Sequence, residues 1–214
     1  MQKFVLLFCA ALLAGTASFA QSAKYLGFMK ENVALLDTAH SLPTFQDLAN
    51  RFERVGDAEK TQALPYYYAA YCTVMTAMLD QSGAGKGDQI ADKAESLISK
   101  AEELGKPNSE TNVIRSLIAT TRLMVDPQNR YMQYGPISGN AIQQAAQLDS
   151  TNPRPVLLEA QAKFYTPEAY GGGKAVAKPL FEKALAMFAT FKPASDIAPR
   201  WGKHATEYFL SQCN

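Results

Sequence analysis

Apolar side chains recur at every third or fourth position along almost the whole chain, which is the period of one face of an α-helix. Leu26, Met29, Val33 and Leu36 stripe a first helix, broken at His40-Ser41-Leu42-Pro43. A second carries Phe45, Leu48, Ala49, Phe52 and Val55 and ends near Gly56. A third begins at Pro65 and turns Tyr67, Ala70, Val74 and Met78 inward. The stretch from Gln81 to Gly87 reads as a flexible turn. Asp88 then caps a fourth helix striped by Ile90, Ala94, Leu97, Ile98, Ala101 and Leu104 and stopped by Gly105 and Pro107. Ser109 caps a fifth, with Val113, Leu117, Thr121 and Met124 on one side. A polar-aromatic loop from Gln128 to Gly135 precedes a sixth helix carrying Ile142, Ala145 and Leu148. Asn152-Pro153 opens a seventh that buries Val156, Leu157, Ala160 and Phe164, and Tyr165 to Gly173 reads as loop. The eighth runs through Phe181, Ala184, Leu185 and Phe188. Pro179 removes a helical hydrogen bond, so this helix either starts near Lys178 or kinks. After a linker from Lys192 to Ala198, a last helix starts near Pro199 and buries Trp201, Ala205, Tyr208 and Phe209. No segment alternates like a strand, so the expected fold class is all-α.

The predicted helices fall into similar pairs. Starts at Pro65, Glu110 and Pro155 are 45 residues apart. The second helix of each pair repeats one pattern: Lys100-Ala101-x-x-Leu104, Gln144-Ala145-x-x-Leu148 and Lys183-Ala184-x-x-Met187. An alanine at a helix interface lets two backbones approach closely, and such units share one continuous core when stacked. The stretch from Asn140 to Pro153, with Ala141-Ile142, Ala145 and Leu148-Asp149-Ser150-Thr151-Asn152-Pro153, resembles the second helix and exit of a tetratricopeptide repeat (TPR). Gly172 to Leu185 is similar to the next second helix. The spacing is longer than that family's repeat of about 34 residues. The resemblance implies an α-solenoid of antiparallel helix pairs whose first helices line a concave face. The whole chain, with TPEAYGGGKAVAKPLFEKAL and PRWGKHATEYFLSQC, also resembles exported repeat-like proteins of Bacteroidetes.

The first twenty residues change the picture of the compartment. Lys3 precedes an apolar run from Phe4 to Ala14, and Ser18-Phe19-Ala20 supplies the small residues of a signal-peptidase site. Cleavage after Ala20 is expected, leaving a single helical domain, residues 21–214, in the periplasm or outside the cell. No other stretch is apolar for long enough to span a membrane. Cys72 and Cys213 remain in the mature chain. An oxidising compartment allows them to pair; the alternative is that Cys72 is a small buried hydrophobe.

Charge and chemistry narrow the function by exclusion. Lys and Arg total 21 against 20 Asp and Glu, so no broad basic face meets nucleic acid. Two histidines, His40 and His204, fall short of a metal cluster, and no nucleophile stands beside a base. Gly83 to Lys86 and Gly171 to Lys174 lack the spacing and the Ser or Thr of a phosphate loop. The triple glycine before Lys174 is either an anion-holding turn or a tight connection. Aromatic clusters are the remaining candidates: Tyr67 and Tyr71; Arg130, Tyr131 and Tyr134; Tyr165, Tyr170, Lys174 and Trp201. The expected function is an exported, non-enzymatic scaffold with no cofactor, gripping a peptide or protein through groove aromatics. The alternative is a small-molecule carrier or sensor with a pocket near the triple-glycine loop.

Overall fold

The helical period is realised wherever the chain is described. The computed structural model describes residues 23–80 and 86–213, and every regular element among them is a helix. They are α1 (residues 23–37), α2 (Leu42–Glu59), α3 (Ala63–Leu79), α4 (Gly87–Gly105) and α5 (Ser109–Val125). Then come α6 (Pro127–Leu148), α7 (Arg154–Tyr165), a 3-10 turn (Glu168–Tyr170), α8 (Lys174–Thr190) and α9 (Lys203–Ser211). The leader segment read at residues 1–20 lies outside the described residues. No helix among those described is long and apolar enough to cross a membrane.

Local chemistry sets the boundaries, in places differently from the sequence reading. The Ser41 hydroxyl accepts from the Thr44 N–H and starts α2, which ends on Lys60 in the left-handed region rather than at Gly56. Asn108, not Ser109, caps α5: its side chain accepts from the Thr111 N–H while the Thr111 hydroxyl accepts from the Asn108 N–H. Ser109 instead donates across to the Ala145 carbonyl at 2.8 Å, which ties α5 to α6. Asp88 is not a cap but lies in the first turn of α4. The expected loop from Gln128 to Gly135 is helix. Asp126 accepts from Asn129 and Pro127 fits the first turn, so α6 starts early and carries Pro136 through its interior. Likewise α8 begins at Lys174 and runs past Pro179, and α9 begins at Lys203, not near Pro199.

Helices α3, α5 and α7 touch one another in turn, and α4, α6 and α8 each pack on the helix before them. All three repeated alanines, Ala101, Ala145 and Ala184, are buried at these contacts. A large core joins α1 to α5 through residues such as Met29, Leu48, Phe52, Tyr68, Leu97 and Ile114. A smaller one joins α7, α8 and α9 around Leu157, Ala160, Ala177, Phe181 and Ala184. Several expected core positions are instead exposed: Leu26, Leu104, Met124, Leu148 and Tyr208.

The segment between α8 and α9 straps the two cores together. Tyr68 donates its hydroxyl to the Ile197 carbonyl at 2.7 Å, in the interior. Lys30 pairs with Asp196 and Arg200 with Asp37, each at 2.7 Å, so the strap is tied to α1 at two points. The Lys30 ammonium holds the Asp196 carboxyl below the usual carboxylate range.

Candidate functional site

Three of the sequence candidates meet in the interior. Residues 66–72 of α3 are all buried, because α2, α4 and α5 flank the helix and the strap covers it. Tyr67 therefore cannot serve as a groove residue. It donates to Glu110 at 2.7 Å and accepts from the Trp201 indole N–H at 2.9 Å. Tyr71 stacks on Trp201 with ring centroids 4.2 Å apart. Beneath them lies a fully buried cation, Arg154, which donates to Glu110 at 2.9 Å. Its guanidinium carbon sits 5.1 Å from the Phe191 ring centre and 5.0 Å from that of Trp201. The two rings compensate for the missing hydrogen-bond partners of Nε and Nη2. Asn152 completes the network by donating to Glu110 at 2.7 Å. Burial pushes the Tyr67 hydroxyl well above the usual phenol range, with the Glu110 charge adding to it. This cluster locks α3, α5 and α7 to the strap, with Arg154 fully buried and Glu110, Phe191 and Trp201 half-buried around it.

The second group is also consumed internally. Arg130 donates to both carboxylate oxygens of Asp88, at 2.6 and 2.9 Å, and to the Arg122 carbonyl at 3.1 Å. That fork pins the start of α6 to α4, and it holds the Asp88 carboxyl below its usual range. Tyr131 is exposed against Gly135, and Tyr134 is half-buried.

The triple glycine resolves as a tight connection. Gly171 donates to Glu168, Gly172 to Pro167 and Gly173 to Lys163, so all three N–H groups are used within the chain. Gly171 and Gly173 take positive φ values of 77° and 94°. A side chain at Gly172 would meet the Thr166 carbonyl oxygen at 2.3 Å. These glycines offer no donors to an anion.

What remains open is an aromatic face on α7 and α9. Tyr165 is 72% exposed and Tyr208 61% exposed, although both belong to an otherwise packed cluster. Both rings meet Phe209 edge-on, at 5.9 and 5.4 Å. Phe209 in turn stacks on Phe181 at 5.5 Å and touches Phe164 at 5.4 Å. Lys174 brings its ammonium to 6.0 Å from the Phe164 ring centre, placing a cation at the edge of the face. Partial burial raises the Tyr165 phenol, with neighbouring Tyr208 contributing. Tyr170 is 80% exposed on the 3-10 turn, and among the described residues no ring contact joins it or Tyr131 to this face. Sequence reasoning missed Tyr208 by placing it inside. Its signal was position: four residues after His204, on the side of α9 opposite buried Thr206.

Cys213 packs at the edge of this smaller core, while Cys72 lies buried in the larger one. Both are free thiols, so the disulfide that the cysteine count allows is not formed. Burial pushes the Cys72 thiol up, which makes it inert. No group of three or more His, Cys, Asp or Glu suited to a bare metal ion occurs among the described residues. A shallow depression of about 230 Å³ lies elsewhere, between Lys60, Tyr66, Lys100, Glu103 and Leu104.

Comparison with known proteins gives an informative likeness. No protein-family model matches the chain, so membership of the TPR family gains no support. No curated protein matches it either. Among solved structures, the chain is similar to the HusA haemophore from Porphyromonas gingivalis, a member of the Bacteroidetes. The two share 35% sequence identity with a TM-score of 0.79, over 88% of this chain and 92% of the other. This likeness overturns the expectation of a peptide- or protein-binding scaffold, since the similar protein is a haemophore. It favours the small-molecule carrier that the sequence reading held as its alternative. Shared identity of this level over nearly the full length of both chains shows that the protein belongs to the family of the HusA haemophore.

Proposed function

We propose that the protein is an exported carrier of a haem-like tetrapyrrole, held on the aromatic face of α7 and α9. The observation that carries this reading is the 35% identity to a haemophore across 92% of that chain. The chemistry of the face agrees with it. A tetrapyrrole is a flat apolar disc with carboxylates on one edge. Tyr165 and Tyr208 offer exposed ring surface against which such a disc stacks, with half-buried Phe209 behind them, and Lys174 offers a charge to its carboxylates. The interior clusters offer no such surface, because their rings and their cation are already partnered. Carriage needs no catalytic constellation, and we read the chain as a binding protein rather than an enzyme. We also infer that the helix pairs stack as a short TPR-like solenoid within one domain, residues 21–214. The leader read at residues 1–20 supports periplasmic or extracellular carriage, with a small molecule rather than nucleic acid as the partner.

The test is titration of the mature chain with ferric haem and with metal-free protoporphyrin, read by the Soret band and by quenching of Trp201. Saturable 1:1 binding is expected. Tyr165→Ala and Tyr208→Ala should each weaken it about threefold to tenfold, the loss of one aromatic contact of about 0.5–1.5 kcal/mol. Failure of the wild-type chain to bind either compound overturns the reading.

A further inference from the structure

We propose that the strap covers a second small-molecule site, selective for a planar aromatic carboxylate no larger than a bicyclic ring, in which the Trp201 indole is the chain's own occupant. The site is separate from the tetrapyrrole face: Arg154 opens α7, whereas Tyr165 closes it.

Arg154 has no solvent exposure, yet its hydrogen bonds all leave from Nη1, to Glu110 at 2.9 Å and to Asn152 at 3.2 Å. Among the described residues Nε and Nη2 have no partner. These two nitrogens carry parallel N–H bonds along one edge of the guanidinium, the fork that a carboxylate grips with both oxygens. The chain uses that edge elsewhere, where Arg115 donates from Nε and Nη2 to the two carboxylate oxygens of Glu102. Phe191 and Trp201 lie against the Arg154 guanidinium, but a π-face attracts its charge without replacing a two-point acceptor. A buried fork left empty costs free energy, and a ligand carboxylate removes that cost. Glu110 stays satisfied meanwhile, because Tyr67 and Asn152 both donate to it.

Trp201 makes the contacts of a bound aromatic molecule. Its ring stacks on Tyr71 at 4.2 Å with an interplanar angle of 21°, and its N–H donates to the Tyr67 hydroxyl at 2.9 Å. Its ring centre lies 5.0 Å from the Arg154 guanidinium carbon. It supplies every group such a molecule would bring except the carboxylate. The segment that carries it is loosely held. No helix runs from 191 to 202, residues 192–196 are exposed, and Gly202, directly after the indole, takes a φ of 116°. The Arg200–Asp37 and Lys30–Asp196 pairs that tie it down are partly open to solvent, where an ion pair adds little. With the indole swung out, the space left over Tyr71 suits a bicyclic ring beside the empty fork, and a tetrapyrrole is too large for it. The apparent affinity is then the intrinsic one reduced by the fraction of molecules with the strap lifted.

The experiment titrates the mature chain with 2-naphthoate and with its uncharged analogue 2-naphthamide by isothermal titration calorimetry. The Trp201 indole N–H resonance is followed by NMR, and circular dichroism checks that each variant folds. Wild type should bind one 2-naphthoate about tenfold or more tightly than the amide, with the indole resonance moving to the position of a solvent-exposed tryptophan. Asp37→Asn frees Arg200 beside the indole and should tighten binding about twofold to fivefold. Trp201→Ala removes the competing ring and should tighten it further, whereas a merely structural tryptophan would give weaker binding. Arg154→Lys keeps the charge without the fork and should weaken binding about tenfold. Absence of 2-naphthoate binding in both wild type and Asp37→Asn overturns the proposal, the edge then holding water only. So does equal binding of acid and amide, weaker binding in Asp37→Asn, or binding unaltered by Arg154→Lys. Each of these results leaves the tetrapyrrole reading intact, since protoporphyrin titration tests that reading on its own.

Discussion

Replacing Glu110 by glutamine tests the interior lock that sets the two cores in register. The glutamate accepts from Tyr67 at 2.7 Å, from Asn152 at 2.7 Å and from Arg154 at 2.9 Å, and Arg154 has no solvent exposure. Glutamine keeps the shape and one acceptor oxygen but removes the charge. It also turns an N–H₂ toward either Tyr67 or the Asn152–Arg154 side, where donors already point. Breaking a buried ion pair by removing one partner costs about 3–5 kcal/mol, because the remaining charge stays in low dielectric without a counter-ion. Retained hydrogen bonding and the two rings flanking the guanidinium place Glu110→Gln near the lower end, about 3 kcal/mol. Set against a typical total of about 5–15 kcal/mol, this is a large fraction. Urea unfolding measures it, followed by far-UV circular dichroism alongside fluorescence of the single tryptophan, Trp201, since that ring touches the site. The double variant Glu110→Gln/Arg154→Met removes the stranded cation and should recover more than half of the loss. A Glu110→Gln variant that loses less than about 1 kcal/mol would refute the argument, as would a double variant no more stable than the single one.

Two further outcomes follow from the same geometry. Gly172→Ala brings a Cβ to 2.3 Å from the Thr166 carbonyl oxygen, so the turn into α8 must shift. A loss of about 2–4 kcal/mol in the unfolding free energy measured with urea is expected, whereas at Gly139, where nothing lies within 4 Å, alanine should be neutral or better. Stability should also fall in alkali. Burial pushes Tyr25 up to about 12 and, with the Asp57 hydrogen bond and charge, Tyr66 up to about 12; Tyr67, Tyr68 and Tyr71 are likewise raised by burial. A phenol with a raised folded value contributes stability that is complete below its unfolded value, about 10, and is lost as pH climbs through the folded value. The urea midpoint should therefore stay level from neutral pH to about 10 and decline above it, in step with tyrosinate absorbance. A decline beginning near pH 8 would contradict the burial of these rings.

The parts of the fold legible in the sequence were those written in local spacing. The repeated Ala101, Ala145 and Ala184 pointed to close helix contacts, and all three are buried there. The inward turn of Tyr67, Ala70 and Val74 was read from helical period alone. The segment from Gln128 to Gly135 reads as loop in sequence because polar residues and Gly135 fill it and Pro127 and Pro136 flank it. What makes it helix is partly distant: the Arg130 fork reaches Asp88, 42 residues away. Distance in sequence also hid the strap. Tyr68 meets Ile197 across 129 residues and Tyr67 meets Trp201 across 134, and no periodicity announces such contacts. A run of tyrosines therefore looked like a groove when it was a covered core. The α7–α9 face was half legible: Tyr165 and Lys174 stood out by type, while Tyr208 was lost because a nine-residue helix leaves its buried side ambiguous.

Mapping the bound tetrapyrrole bears most directly on where this protein holds its ligand. Backbone amide shifts of the mature chain, followed by NMR as metal-free protoporphyrin is added, should move first and furthest at Tyr165, Lys174, Tyr208 and Phe209, with α2 and α4 unaffected. Shifts centred on α2 and α4, around the Lys60–Lys100 depression, would contradict the account.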